Sequence, residues 1–474
     1  MASIGDTDRD VLLREVEGIV SGVLAAAEGS CGDLSVVEGS VRDAVKALRS
    51  VLTQAGLSAS VSSAPSAYVC RCGRRLVRQS WRHRRVVTSE GEGEMISTRW
   101  RCRRCRCSYY PVETLNGLRG SQFTTGAKGL IAGLGAELPY ARVSALLSER
   151  GVNVSPKEVD RTVGEVSDWR ASEEVQAVRV ALPHRGQARH GSRSRASRPT
   201  PAPLHDWSGW TPETTAVISV DGAKVRSPEA GPEGLEWFEG RVGIIAPAEK
   251  DAGGSTFYVG GVLEPDGLFR RLMAASHSDP NRRRRTLFIA DGAEWIWTRA
   301  PLAFPRAREV LDIYHASEHL ASAAAAVWGE QTRRARHWRR NALKMLLEPR
   351  GPSRALRELR AQSAAGTAMD PASLEREIRY FERHRERMPY AELRAQGLPV
   401  GSGAMESGIK QTSTQRLRQP GMMWSKAGAD RMLRLRATLL GGNLRHTLER
   451  RQQALAATLP LPISHIQAHN RHKS

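Results

Sequence analysis

The stretch that decides the fold is Thr286–Trp297, with the sequence TLFIADGAEWIW. Its apolar residues, from Leu287 to Ala290, run without interruption into Asp291 and Gly292. Such a run predicts a buried central strand, because a strand that is covered on both faces shows no polar alternation. Open α/β sheets carry their functional side chains at the carboxyl ends of their strands. Asp291 is therefore a candidate functional carboxylate.

The same pattern occurs earlier in the chain. The segment Ala216–Gly222, AVISVDG, is also a hydrophobic run that ends in an Asp-Gly pair, with Asp221 as the acid. A single Asp-Gly pair after a strand is an ordinary turn sequence. Two of them on adjacent strands would place Asp221 and Asp291 one strand spacing apart, roughly 5 Å. We therefore predict that these two carboxylates are neighbours.

The elements predicted around these strands have the order of a ribonuclease H-like domain. A three-stranded antiparallel meander precedes the Thr286 strand, and a short strand, a helical insertion and a closing helix follow it. The meander strands are Ala216–Val220, Arg241–Pro247 and Ser255–Val262, the later strand is Glu309–Ile313, and the insertion covers about 316–396. The predicted fold class is α/β, with a catalytic domain over residues 211–440.

A third acid is expected from a helix that packs beside the two aspartates. Glu406 fits this position, because it lies in the first turn of the closing helix, after the flexible Gly401–Gly403 segment. Carboxylates from different elements can hold two Mg²⁺ ions about 4 Å apart, with Mn²⁺ as an alternative, for phosphodiester cleavage. Asp312 is the runner-up for the second metal-binding acid, and His315 would line the same site.

The charge of the chain favours a polyanionic partner. Its 71 Lys and Arg against 50 Asp and Glu give a formal net charge of +21, and the basic residues are spread along the sequence. This distribution is typical of proteins that bind nucleic acid. There is no signal-peptide pattern and no apolar run near about 18 residues, so we expect a cytoplasmic protein without a membrane partner. No Walker-type phosphate loop is present, and we expect no nucleotide cofactor.

The six cysteines predict metal ligation, because disulfides are rare in a reducing compartment. Two short cysteine groups, CRC and CRRC, flank a predicted β-hairpin, which is how a zinc ribbon holds a tetrahedral thiolate site. We predict a zinc-ribbon-like module over residues 68–111 with structural Zn²⁺. Its favoured ligands are Cys70, Cys72, Cys102 and Cys105, and Cys107 competes for a place in the set.

Further regions are distinguished by periodicity and composition. Helical periodicity predicts a helical N-terminal region over residues 1–57 and a helix-turn-helix-like DNA-binding region over 119–180. Residues 184–210 have the composition of a basic linker, and 441–474 that of a basic C-terminal tail.

The segment after Glu406 carries residues suited to DNA contact. Cations one or more turns from a metal site can bind the phosphates of a strand that enters it, and an aromatic ring can stack on a base. The candidates are Lys410, Arg416, Arg418 and Trp424. For Trp424 a place in the core is the alternative interpretation.

One motif favours a different enzyme class. The string His315-Ala-Ser-Glu318-His319 has the H-x-x-E-H spacing of inverted zinc peptidases, and Glu330 could be a third ligand. The motif follows a strand in a domain that already has three acids, and the basic charge has no use in peptide hydrolysis. We therefore rank a zinc peptidase below nucleic-acid chemistry.

Over about residues 65–440, the chain resembles bacterial insertion-sequence transposases of the DDE class, in particular the ISKra-type group. The motifs that carry the resemblance are the cysteine groups with Tyr109–Pro111, Val220–Gly222, Trp237–Gly243, Asp291–Trp297, Asp312–Leu320, Tyr380–Tyr390, Gly397–Ser407 and Gln415–Ala437. The chain departs from the family at Cys70-x-Cys72, where C-x-x-C is more usual.

The resemblance implies that Asp221, Asp291 and Glu406 form a DDE triad that binds Mg²⁺ for DNA strand cleavage and strand transfer. It implies double-stranded DNA partners, namely the terminal repeats of the element and a target, and a homodimer or larger synaptic complex. A structure-specific DNA endonuclease on the same fold, or a non-catalytic zinc-ribbon regulator, are the remaining alternatives.

Overall fold

The computed structural model describes residues 6–182, 203–231, 234–249, 254–403, 407–408 and 410–462. The protein is mixed α/β and divides into two compact units. The first unit consists of Met1–Trp169 with Leu444–Ser474, and the second of Arg170–Asn443. Within the described ranges, no helix combines the length and the apolar sequence that a membrane span requires.

The first unit opens with two helices, α1 (Asp6–Gly29) and α2 (Leu34–Ser62). Asp33 caps α2, because its carboxylate accepts a hydrogen bond from the Ser35 backbone N–H at 2.9 Å. The helix extends beyond residue 57, where the sequence predicted that the helical region ends. Leu57 and Val61, four residues apart on one helix face, both pack against a buried cluster, and this packing outweighs the small polar residues between them.

Four strands follow: β1 (Tyr68–Val69), β2 (Val77–Val87), β3 (Glu92–Arg101) and β4 (Ser108–Tyr109). The long strands β2 and β3 pair antiparallel, and β4 pairs with β3. Side chains alternate between the two faces of this sheet, so Val86 and Met95 are buried on one face while Trp81 is exposed on the other.

The helical part of the first unit contains α3 (Pro111–Leu115), α4 (Thr125–Glu137), α5 (Tyr140–Glu149) and α6 (Pro156–Ala181), which continues past the unit's boundary. A capping box begins α6. The Ser155 N–H donates to the Glu158 carboxylate at 2.9 Å, and the Glu158 N–H donates to the Ser155 hydroxyl at 3.3 Å.

The second unit is built on one five-stranded sheet in the order β7-β6-β5-β8-β9. Antiparallel pairs join β5 to β6 and β6 to β7, whereas β5 pairs parallel with β8, and β8 with β9. The elements are β5 (Ala216–Gly231), β6 (Gly234–Pro247), β7 (Phe257–Gly261), α7 (Pro265–His277), β8 (Thr286–Ala290), α8 (Glu294–Trp297), α9 (Ala300–Ala303) and β9 (Arg308–Leu311).

Helices cover both faces of this sheet. Leu287, Ile289 and Val310 pack on one face against helices that follow β9 in the chain, and Ile218 and Phe288 pack on the other against α7, α8 and α9. The helices after β9 are α10 (Ile313–Trp328), α11 (Arg333–Leu346), α12 (Gly351–Ala364), α13 (Pro371–His384), α14 (Tyr390–Ala395), α15 (Gln415–Leu417) and α16 (Lys426–Leu440). Of these, α10 to α14 contribute to the first cluster.

The prediction that the first strand ends at Asp221 is wrong. β5 continues to Gly231, because it keeps β6 as an antiparallel partner after β8 has ended. Asp221 pairs with Val242 and Gly222 with Arg241, so the Asp-Gly pair lies within the strand and forms no turn.

The predicted linker also needs correction where the structure describes it. Residues 184–202 lie outside the described part of the chain, but Leu204, Trp207 and Trp210 are buried in the second unit. The two tryptophan rings meet edge to face at 5.2 Å, and His205 packs on Trp207. Large aromatic side chains bury too much surface to act as a solvated linker.

The predicted C-terminal tail, 441–474, is part of the first unit from residue 444, and the structure describes it up to residue 462. It forms α17 (Leu444–Ala456) and β10 (Leu461–Pro462), which pairs antiparallel with β1. Arg451 forms an ion pair with Glu165, and Leu448 is buried. Basic composition alone predicted a tail, but the apolar residues of α17 give it a packing face. Residues 463–474 lie outside the described ranges.

Candidate functional site

The register of the parallel strands brings three aspartates to one level of the sheet. Ile218 pairs with Phe288, and the residues three positions further along each strand are Asp221 and Asp291. On the other side of β8, Ala290 pairs with Leu311, the last residue of β9. Asp312 follows Leu311, and its N–H donates to the Ala290 carbonyl at 2.8 Å. Asp221 of β5 and the residues that directly follow β8 and β9, Asp291 and Asp312, therefore lie near the same end of the parallel strands.

All three aspartates belong to the same face of the sheet. Side chains alternate along a strand, and the residues two positions before Asp291 and Asp312 are Ile289 and Val310, which pack under the helices that follow β9. Val217, four positions before Asp221, belongs to the same cluster. The row of carboxylates, called here the acid row, thus continues a hydrophobic face at the point where the parallel pairing ends.

The acid row is electrostatically unfavourable by itself. Burial, and then the negative charge of Asp291, raise the pKa of Asp221 to about 6. The Gly222 backbone N–H, which donates to Asp221 at 2.6 Å, and the nearby charge of His315 act in the opposite direction. A carboxyl whose pKa is raised by a like charge is a frequent property of functional sites.

Asp312 is held more tightly than the other two. It is 3% exposed, and it caps α10 by accepting the Tyr314 N–H at 2.9 Å. The hydroxyl of Ser402 donates to its second carboxylate oxygen. The glycine at 401 leaves room for this approach, because a Cβ atom there would lie 3.0 Å from Ile313 and 3.3 Å from the Asp312 carboxylate.

Glu406, the third acid predicted from the sequence, lies outside the described residues. The described residues before and after Glu406 have defined contacts in the second unit. Ser402 contacts Asp312 at the β9 edge, and a Cβ atom at Gly408 would stand 3.1 Å from Tyr258 and 3.6 Å from Ile244. The segment Lys410–Thr414 is fixed by Arg436 of α16, whose Nε donates to the Thr412 carbonyl at 3.0 Å.

The histidines of the H-x-x-E-H string are bonded to different partners. His315 forms an ion pair with Glu318 at 3.1 Å, and Nδ1 of His319 bonds Glu377 of α13 at 2.6 Å. In the described part of the chain, only a group of cysteines brings three or more potential metal ligands within 4.8 Å of one another. The string and Glu330 form no such group, and neither do the three described aspartates of the acid row.

Tyr380 of α13 lies against the acid row. Its ring stacks on His319 with centroids 3.4 Å apart, and a Cβ atom at Gly292 would collide with its ring and hydroxyl. Burial and the charges of Asp291 and Glu377 raise the pKa of Tyr380 above its usual value. Among the described residues the buried hydroxyl has no hydrogen-bond partner. It is a donor available to a group that binds beside Asp291.

The four residues predicted to contact DNA separate into two pairs. Lys410 and Arg418 are exposed. Arg416 is 2% exposed, and its guanidinium lies 5.1 Å from the Trp424 ring centroid. Arg416 as a phosphate contact stays a prediction; in this conformation its guanidinium is buried beside the Trp424 ring. Trp424 is half-buried, so stacking on a base would require it to leave Arg416.

In the first unit, four cysteines form a cluster that could bind a metal such as zinc. Cys70, Cys72, Cys102 and Cys105 place their sulfur atoms within 4.8 Å of one another, with 3.4 Å between Cys70 and Cys105 and 3.5 Å between Cys72 and Cys102. Cys107, the competing ligand in the sequence interpretation, is outside this group. Four thiolates in a compact set are a typical structural zinc site.

The surroundings favour the thiolate at Cys70 and Cys102, whereas at Cys72 and Cys105 hydrogen bonds with the neighbouring cysteines outweigh the backbone hydrogen bonds and raise the pKa. Burial raises the pKa of the Cys70 thiol, but hydrogen bonds from the Cys72 backbone N–H and the Tyr109 hydroxyl outweigh it, and the pKa falls to about 6. The backbone N–H groups of Cys105 and Arg104 lower the pKa of Cys102. The thiolate is the form of cysteine that binds metal ions.

No protein-family model matches this chain, and no curated protein matches it.

The sequence interpretation missed Tyr380 and the role of Ser402. Both lie in motifs that carry the family resemblance. Each is at least 88 residues away in sequence from the residue that it contacts at the acid row, Gly292 for Tyr380 and Asp312 for Ser402. Nothing in local periodicity shows such contacts. Gly401 was the available signal, because a glycine before a helix indicates a close backbone approach.

We predict that substitution of Asp221 by Asn stabilises the metal-free protein at about pH 8 and has little effect near pH 4. The folded-state pKa of about 6 exceeds the ordinary value of 3.8, so stability is lost as the pH rises through 6. Removing the charge should restore up to about 3 kcal/mol at high pH. Thermal unfolding without added Mg²⁺ measures this, with the exposed Asp266→Asn variant as control. Equal effects at both pH values would contradict the prediction.

We predict that Tyr380→Phe raises the free energy of unfolding by about 1 kcal/mol, because it removes a buried hydroxyl that lacks a partner. Tyr390→Phe is the matched control. Its hydroxyl donates to the Leu311 carbonyl at 2.8 Å, so its loss should destabilise the protein by about 1–2 kcal/mol. Denaturant unfolding compares the two variants. Destabilisation by both substitutions would show that the Tyr380 hydroxyl is satisfied in solution.

We predict that purified protein contains about one zinc ion per chain and that Cys102→Ser removes it. Loss of the ion should unfold the segments around β1 and β4, where Cys70 and Cys102 are part of the small core, whereas Val86 and Met95 of β2 and β3 have a separate core. Cys107→Ser is the control, because Cys107 lies two residues from Cys105 but outside the cluster. Metal analysis and circular dichroism give the result. Retained metal in Cys102→Ser, or lost metal in Cys107→Ser, would refute this ligand set.

Proposed function

We propose that this chain is a DDE-type transposase, which cuts DNA at the ends of an insertion sequence and joins those ends to a target. One observation carries the proposal. Asp221 lies on β5 and Asp291 directly follows β8, its parallel neighbour at the centre of the five-stranded sheet, and burial and then the charge of Asp291 raise the pKa of Asp221. Two such carboxylates are the core of a two-metal phosphodiester site.

The strand directions support a ribonuclease H-like assignment for the second unit. Three antiparallel strands, β7, β6 and β5, continue into two parallel strands, β8 and β9, and helices cover both faces. Along the chain, helices α10 to α14 follow β9 and precede the Gly401–Gly403 segment, which is the position expected of a helical insertion.

The third acid in this proposal is Glu406. The described residues that flank it support this choice, because Ser402 contacts Asp312 on one side and position 408 faces Ile244 and Tyr258 on the other. Strands β8 and β5, which carry Asp291 and Asp221, lie between these two anchor points in the sheet. Asp312 is the alternative to Asp291 as the second metal-binding acid.

Divalent cations in the acid row would offset the repulsion between Asp221 and Asp291, which together with burial raises the pKa of Asp221. Bound Mg²⁺, with Mn²⁺ as a substitute, would activate the attacking oxygen and neutralise the leaving oxygen. Asp221, Asp291 and Glu406 would hold the ions, and Asp312 would orient the site through Ser402. The Tyr380 hydroxyl would donate to a phosphate oxygen.

The bond changes are those of two successive displacements. Water attacks the phosphorus atom at the element's end, a new P–O bond forms, and the bond to the 3′ oxygen breaks to leave a 3′ hydroxyl. That hydroxyl then attacks a target phosphodiester in the same way. Both steps need the same carboxylates, so one site suffices.

DNA binding in this proposal uses both units. Lys410 and Arg418 would contact phosphates near the acid row, and the zinc-bound cysteine module and the α5–α6 helix-turn-helix would bind the terminal repeats. A homodimer or larger synaptic complex would hold the two ends. Each of these remains a proposal that binding measurements can test.

We predict that Asp291→Asn and Glu406→Gln each reduce Mg²⁺-dependent cleavage and joining of terminal-repeat DNA by at least about 100-fold, since metal binding contributes several kcal/mol to such reactions. Binding of the repeats should remain, because neither substitution alters a phosphate contact. Gel assays of cleavage and joining, with Mg²⁺ or a chelator, measure both.

Asp266→Asn is the control for this prediction, because Asp266 is an exposed acid paired with Arg299 in the same unit. Full activity in Asp291→Asn would refute the triad. Cleavage without joining in the unaltered protein would favour the endonuclease, and binding without cleavage would favour a regulator.

A further inference from the structure

Helix α11 differs from the other long helices in its charge. Its sequence, RRARHWRRNALKML, contains five arginines and one lysine and no acidic residue. The sequence interpretation treated this helix only as part of the helical insertion and gave it no function.

The cations of α11 form a line on the surface. Ala335, Ala342 and Leu346 are buried and define the inner face of the helix. Arg333, Arg336, Arg340 and Lys344 follow one another at intervals of three or four residues on the opposite face, and all are exposed. Neighbours at this spacing lie about 5–6 Å apart, so the helix presents a regular row of positive charge.

The arginines of this row lack the acidic partners that neighbouring helices provide. On α12 and α13, Arg354 pairs with Glu348 at 2.6 Å, Arg360 with Glu382, and Arg379 with Glu375 at 3.7 Å. Among the described residues, no carboxylate lies within 4.0 Å of the Arg333, Arg336, Arg340 or Lys344 side chain. The positive charge of the row is therefore uncompensated.

The position of these charges is unfavourable for the helix. Arg333, Arg334 and Arg336 occupy its first turns, where the helix dipole is positive and acids are favoured. Like charges three or four residues apart also repel each other. Arg334 is partly accommodated by the Trp328 ring, 5.4 Å away. A sequence that keeps such a conflict is consistent with a ligand that supplies the missing negative charge.

A groove runs beside this row. It has a volume of about 430 Å³ and is lined by small residues of α10 and by Arg336 and Arg339 of α11. Glu330 also lines it, without an ion pair to either arginine in the described residues. Arg339 is oriented by donating to the Ser317 hydroxyl at 3.0 Å. The groove allows a polyanion to approach from the side of the row.

We propose that the outer face of α11 binds the phosphate backbone of double-stranded DNA. A repeated charge at regular spacing matches a polymer of phosphates better than a folded acidic protein. The apolar face of α11 is buried in the hydrophobic cluster, which leaves none for membrane insertion. The choice of DNA over RNA rests on the proposed function; the choice of a polyanion does not.

The test compares two triple variants of the full-length protein. Arg333→Gln/Arg336→Gln/Arg340→Gln removes three cations of the row. Arg354→Gln/Arg360→Gln/Arg379→Gln removes the same charge from paired arginines on the neighbouring helices. Affinity for a short fluorescent duplex of arbitrary sequence is measured by anisotropy between about 50 and 200 mM salt.

The row variant should bind the duplex about tenfold or more weakly than the unaltered protein, and the slope of log K against log salt should decrease by about 2 to 3. The control variant should keep the affinity and the slope within about twofold. The melting temperature of the row variant should not fall, because the substitutions relieve repulsion. Equal losses in the two variants, or an unchanged slope in the row variant, would overturn the inference.

Two further arms identify the occupant. The same measurements are made with a duplex RNA and with vesicles of anionic lipid in place of the DNA. If the row variant loses affinity only for the RNA or only for the vesicles, DNA is not the ligand. Terminal-repeat cleavage is measured in parallel. If the row variant has a smaller salt slope but the unaltered protein cuts no DNA, the result would support this inference and contradict the proposed function. If the unaltered protein cuts DNA but the row variant keeps its salt slope, the result would support the proposed function and contradict this inference.

Discussion

The second unit depends on the parallel pairing of β8 with β5 on one side and β9 on the other. Leu287, Phe288 and Ile289 are fully buried on alternating faces, and each such burial contributes roughly 1.5–3 kcal/mol. A shift of one residue would exchange the two faces and move Asp291 away from its neighbours. Hydrophobic burial therefore fixes the position of the carboxylates, whose own interaction is repulsive.

Two features of opposite charge in this unit are locally unfavourable. The acid row concentrates negative charge on one face of the sheet, and α11 presents positive charge without acidic partners. Proteins retain such conflicts mainly where a ligand resolves them. A divalent cation would resolve the first, and a chain of phosphates the second. Metal ions and nucleic acid would thus both stabilise the protein they bind.

Local patterns were sufficient to predict the central strand and the cysteine cluster. The apolar run before Asp291 favoured a buried strand, and the two cysteine groups flank a hairpin that folds them together. Contacts distant in sequence were not predictable. Arg416 is covered by Trp424, the Tyr380 hydroxyl reaches the acid row from α13, and residues 444–462 join the first unit. Composition indicates charge and polarity, but it does not show which surfaces will pack.

The pairing of β1 with β10 has a consequence for how the protein is made. Tyr68 pairs with Pro462, and the whole second unit lies between them in the chain. During synthesis, the N-terminal helices and the cysteine module emerge first but must wait for the segment that completes their unit. The last residue of the second unit is synthesised before the segment that completes the first unit. A chain truncated after residue 443 would therefore keep the whole second unit but leave the first unit incomplete.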